Sequence, residues 1–255
     1  MIFCSSCGVS RHKAPAREPR AVLPPDEPLT PSGPRFEGTA GRFALRWVGA
    51  TLGATFLAFI AQTVISAAVT STIYRTLGPF AYRMINIILV TFLYGGAVGL
   101  SQGSVLKRSL DGRGTRWLEA TLAGTFIGAL VGLLQPERVW QDRSLQTMLL
   151  WGAFPGIVGG AAKGVFQWLA LRRLGRIRAL IFWLPLSAVV QTLAGVAGAA
   201  IFYFGFQGAM AFQANLITGL IRTTAGALLV ALPTGAFLGS CLRREFGVPG
   251  DTHDE

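Results

Sequence analysis

From Trp47 to Leu242 the chain is a succession of apolar runs separated by short basic stretches. Each run is long enough to cross a hydrocarbon core, which takes about 20 residues of helix. The runs fall at about 47–72, 84–106, 117–135, 147–171, 179–204 and 223–242. The expected fold is therefore all-α and transmembrane, a six-helix bundle. Composition agrees: 51% of residues are hydrophobic and 14% charged, where soluble domains are about a quarter charged. A soluble enzyme, a disordered chain and a disulfide scaffold are excluded on that ground. The net charge of +11 raises nucleic-acid binding, but such proteins cluster Lys and Arg on one face. Here the charge sits in short segments between apolar runs, and no nucleic-acid partner is expected.

Residues 1–42 differ from the rest. Pro15, Pro19, Pro24, Pro25, Pro28, Pro31 and Pro34 oppose helix, and charges of both signs are mixed among them. The segment reads as a disordered cytoplasmic tail. It has no signal-peptide pattern, and Glu18, Asp26, Glu27 and Glu37 argue against an organellar transit peptide. Residues 43–244 read as the membrane domain and 245–255 as a second cytoplasmic tail. Six crossings put both termini on one side of the bilayer. That side carries seventeen Lys and Arg, in the N-terminal segment, the 107–116 and 172–178 turns and the C-terminal segment, against four on the other. The positive-inside rule makes it cytoplasmic.

Self-comparison finds a tandem pattern. Gly95-x-x-x-Gly99-x-x-Gln102-x-x-x-Leu106-Lys107-Arg108 recurs 65 residues later as Gly160-x-x-x-Gly164-x-x-Gln167-x-x-x-Leu171-Arg172-Arg173. After another 71 residues comes Ala231-x-x-x-Gly235-x-x-Leu238-x-x-x-Leu242-Arg243-Arg244. Trp47-x-x-Ala50-Thr51-Leu52-x-x-Thr55-Phe56 likewise recurs as Trp117-x-x-Ala120-Thr121-Leu122-x-x-Thr125-Phe126, with a worn third copy from Trp183. The bundle is thus expected to consist of three tandem two-helix hairpin repeats, at about 46–108, 116–173 and 178–244, all of one orientation. The element Gly160-x-x-x-Gly164-x-x-Gln167-Trp168-Leu169-x-Leu171-Arg172-Arg173 resembles one that recurs in uncharacterised multi-pass membrane proteins of bacteria, notably cyanobacteria. That resemblance implies a bacterial cytoplasmic (plasma) membrane location and brings no activity with it.

Glycines four residues apart, as in Gly49/Gly53, Gly124/Gly128/Gly132 and Gly156/Gly160/Gly164, let helix backbones approach closely in lipid. Helix packing is favoured over a lining for a conduit. Gln102 and Gln167 lie one turn from the basic pairs. A buried amide needs partners, so each is expected to bond a neighbouring helix or, alternatively, to line a cavity. Lys163 lies nine residues, ~13 Å, inside the Arg172 boundary. An ionisable residue at such depth is a functional candidate, although a lysine reaching the interface through a groove is an equal reading. With Gln167 and Gln102 it forms the candidate ligand or transport set. Arg222 is read as flanking the outer end of a last span that begins at 223, in preference to a span that begins near 214 and buries it. Glu119, in a first helical turn, is read as favourable to the helix dipole.

Cys4-x-x-Cys7 resembles one knuckle of a zinc ribbon, with His12 as a candidate third ligand. Tetrahedral zinc takes four, so no cofactor is expected and zinc stays the weaker alternative. Histidine occurs only at His12 and His253, and no phosphate loop or dinucleotide fingerprint is present. Enzymatic and proton-pumping roles are therefore not expected. The leading reading is a non-enzymatic packing, assembly or scaffold protein that associates with itself or with another membrane protein. The alternative is a small-solute or anion transporter or channel, its path running along the pseudo-threefold axis of the repeats. Anionic lipids are expected at the basic cytoplasmic turns.

Overall fold

The chain divides into Met1–Gly33 and Pro34–Glu255. A computed structural model describes Phe36 and residues 38–110, 116–134, 144–173, 181–206 and 212–246, all in the second unit. Cys4, Cys7 and His12 lie outside the described residues, as does most of the expected N-terminal tail. The described residues form helices, and no strand occurs among them.

Helix α1, Ala40–Val90, begins inside what the sequence reading assigned to the tail. The Thr39 side chain accepts from the Arg42 amide at 3.2 Å and so caps the first turn. Phe36 is buried, and its amide donates to the Phe246 carbonyl at 2.9 Å. Helix α1 is broken at Gly78, where φ is 81° and ψ 174°, a conformation essentially confined to glycine. Apolar stretches able to span a membrane lie on either side, Ala40–Ala68 and Phe80–Ser109. The second includes a π-helical segment, Thr91–Gly96, and helix α2, Ala97–Ser109.

Helix α3 is Trp117–Leu133. Helix α4, Leu145–Arg172, is capped by Ser144. Helix α5 runs Trp183–Phe206, and α6 runs Phe212–Phe246. Three further stretches are long and apolar enough to span, namely Leu145–Arg172, Trp183–Gly205 and Leu216–Phe246, which makes five. The third expected crossing, α3, is a shorter apolar helix of 17 residues, ~26 Å long. Leu57, Phe92, Leu150 and Phe204 are among many large apolar side chains left exposed. A surface of that kind suits lipid, and the protein is a multi-pass membrane protein.

The helices pack in a closed sequence: α1 on α2, α2 on α3, α3 on α4, α4 on α5, α5 on α6, and α6 back on α1. Glycine makes several of these contacts possible. A methyl placed on Gly156 would stand 2.6 Å from the Gln191 carbonyl oxygen, and one on Gly160 would stand 2.7 Å from that of Ser187. Gly152 meets Gly195, and Gly124 meets the Lys163 backbone, so α4 is drawn tightly onto both α5 and α3. Gly49, Gly53 and Gly132, by contrast, have nothing within 4 Å of such a methyl.

Candidate functional site

The most buried cluster lies at the basic end of the bundle, next to Lys107, Arg172 and Arg243. It comprises Phe43, Trp47, Leu106, Trp117, Leu171, Trp183, Leu238 and Leu242 with their neighbours. The Trp117 ring stands edge-on to Trp47 at 5.4 Å and to Trp183 at 5.8 Å. Each indole N–H has a partner on another helix, as a buried donor requires. Trp117 Nε1 donates to Gln102 Oε1 at 3.0 Å, and Trp183 Nε1 to Gln167 Oε1 at 3.2 Å. Gln102 Nε2 then donates to Thr51 Oγ1 at 2.8 Å, and Gln167 Nε2 to Thr121 Oγ1 at 3.0 Å. Where the pattern has Leu238 instead of glutamine, the hydroxyl one turn away takes over, and Trp47 Nε1 donates to Thr234 Oγ1 at 3.2 Å. Three indoles, two amides and their threonines thus form an interlocked polar seal within an apolar plug.

Beyond the seal lies a cavity of about 990 Å³. Every helix contributes to its wall, but α1 and α6 supply most of it, because the glycine contacts close α3, α4 and α5 on one another. From Thr51 to Ala67 along α1 it extends sixteen residues, ~24 Å. Polar side chains on α1 recur at helical spacing: Thr51, Thr55, Gln62, Thr63 and Ser66. On α6 the stripe is Gly219, Arg222, Thr223, Gly226, Ala227 and Val230. Val90, Tyr94, Val98 and Gln102 face the cavity at four-residue steps. In an α-helix such steps drift by ~40° each; the wider π turn at Thr91–Gly96 takes up that drift and keeps Tyr94 on the cavity wall.

Lys163 lines this cavity and also a void of about 10 Å³ between cavity and seal, which it shares with Gln102, Gln167, Gln191 and Thr234. The structure therefore gathers Lys163, Gln102 and Gln167 in one place. The two amides, however, are engaged in the seal, as the helix-bonding reading expects, whereas Lys163 has no ion pair among the described residues. For Arg222 the structure overturns the preferred flanking position and agrees with the other reading. Arg222 does not flank the last span but sits on α6 within the apolar stretch Leu216–Phe246, and it lines the cavity. Taking a charge as the end of a hydrophobic run is what favours the flanking position. The stripe of small and polar residues every three or four positions around Arg222 was the available signal. Tyr94, Thr223, Gln62 and Gln191 were not singled out from sequence at all.

The described carboxylates are Glu119, ion-paired with Arg116 at 3.7 Å on the surface, and Glu245 near the basic end. Neither lines the cavity. Its wall thus offers two cations and many neutral donors without an acidic side chain among the described residues, an arrangement suited to an anion. No group of three metal-ligating side chains occurs among the described residues. In comparisons with known proteins, the chain matches no family model, no curated protein and no solved structure.

Proposed function

We propose that this protein binds a small anionic solute in its central cavity and moves it across a bacterial cytoplasmic membrane. The observation that carries the reading is the pairing of Lys163 and Arg222 on the wall of one large cavity with no carboxylate beside them. Charged side chains within a bilayer are costly and mark ion or substrate pathways. The leading expectation from sequence, assembly or scaffolding, loses weight beside this. Most of the small residues that motivated it are occupied by contacts within the chain.

The architecture we propose is three parallel hairpins with six crossings, both termini cytoplasmic. The equivalent bonding of Trp117 with Gln102 and Trp183 with Gln167 supports it, as does the substitute bond of Trp47 with Thr234. With the basic end cytoplasmic, the seal closes the cavity on that side and the cavity faces outward. The test is flux: purified protein in liposomes is assayed with chloride, nitrate, phosphate and small carboxylates. Wild type should pass at least one anion, and Lys163→Gln should slow it about tenfold or more. Absence of flux and of binding for every anion would remove the reading.

Assembly remains as a second reading on one observation, the open glycines Gly49 and Gly53 on α1. Native mass measurement in mild detergent tests it: Gly53→Leu should dissociate an assembly if that face forms one. A strict monomer in wild type would end it.

A further inference from the structure

We propose that Arg222, Tyr94 and Thr223 form an oxyanion station of their own, separate from Lys163, that takes a carboxylate or phosphate group rather than a halide. This names the ligand class of the cavity and so rests on the proposed anion function. Arg222 lies six residues inside the Leu216 end of the stretch Leu216–Phe246, and its stem is seated on Gly198 of α5: a methyl there would stand 3.0 Å from Nε and 3.3 Å from Cγ. The glycine makes room for the arginine and fixes its course toward the cavity. Tyr94, carried inward by the π turn, lies near enough to the Arg222 guanidinium and the Thr223 side chain to interact with both electrostatically. All three residues line the cavity, and Arg222 is exposed.

The chemistry follows from shape. A guanidinium is a planar fork whose parallel N–H groups match the two oxygens of a carboxylate or phosphate, a match that an ammonium, as a point charge, does not make. The phenol and the threonine hydroxyl add neutral donors at the rim of that fork. A halide has no use for the fork and gains from charge alone. Depth separates the two cations. Lys163 shares its void with Val230 and Thr234, whereas Arg222 lies eight residues before Val230, ~12 Å along α6. The cavity therefore holds two stations, a forked one at Arg222 and a point charge at Lys163 against the seal.

Binding to the purified full-length protein is measured by calorimetry at constant ionic strength, with inorganic phosphate, succinate and chloride as probes. Wild type should prefer phosphate or succinate to chloride, and Arg222→Lys, which keeps the charge and loses the fork, should weaken the oxyanion about tenfold or more while leaving chloride unchanged. Gly198→Ala, which crowds Nε without removing any charge, should lower the same preference and serves if the arginine variant does not fold. Oxyanion preference retained in either folded variant, or chloride bound as well as oxyanions by wild type, overturns the station while leaving an anion cavity. No anion bound and no flux would instead remove the proposed function itself. Glycerol phosphate set against a short-chain phosphatidic acid distinguishes a soluble oxyanion from a lipid headgroup; tighter binding of either supports the station.

Discussion

Gln102 illustrates how one side chain holds two helices. Its amide donates to Thr51 and accepts from Trp117, and all three residues are buried. Replacing Gln102 by Leu leaves the Trp117 N–H without a partner, and an orphaned buried donor costs about 1–3 kcal/mol. The melting temperature of the detergent-solubilised protein should fall by several degrees. Thr91→Val is the counterpart: the Thr91 hydroxyl is buried with no hydrogen-bond partner among the described residues, so its removal should leave the melting temperature unchanged or raise it. A drop matching that of Gln102→Leu would contradict this account of the seal. The need of both glutamines for partners is legible from sequence, since a buried amide is costly when left unpaired. Which partners they take is not, because Thr51 lies 51 residues from Gln102 and Thr121 lies 46 from Gln167.

At the scale of helices, glycine spacing has two outcomes that the sequence does not separate. Gly156 faces α5 with no room for a methyl, whereas Gly49 faces open space. Gly156→Ala should therefore loosen α4 from α5 and lower the melting temperature. Gly49→Ala should be neutral or slightly stabilising, since alanine is the better helix former by about 1 kcal/mol. Equal effects of the two would show that the backbone approach is not what holds α4 and α5 together. The same limit explains the reading of Arg222. Hydropathy treats a charge as a boundary, but α6 has 35 residues, ~52 Å of helix. It carries Arg222 inside the apolar stretch and on the wall of the cavity.

For the whole molecule, the balance of Lys and Arg predicts both termini on the cytoplasmic side. Single cysteines placed at Val139 and Thr252 in a cysteine-free background should differ: an impermeant thiol reagent applied to intact cells should label the first and not the second. Labelling of both, or of Thr252 alone, would reverse or break the proposed topology. Gly78 gives a second check on architecture. Its positive φ joins two stretches able to span a membrane, so Gly78→Val should cost on the order of 1–3 kcal/mol and reduce the amount of folded protein.

What the sequence determined alone is the helical, membrane-spanning character and the pattern of Trp, Gly and Gln at fixed spacing. Hydropathy and helical period act locally, and both are written along the chain. The tertiary structure decided where the space is. Tight glycine contacts among α3, α4 and α5 leave the cavity against α1, the π turn and α6. That asymmetry puts Lys163 and Arg222 on one wall although 59 positions separate them. A cavity is what remains after all helices have packed, and no single segment encodes it.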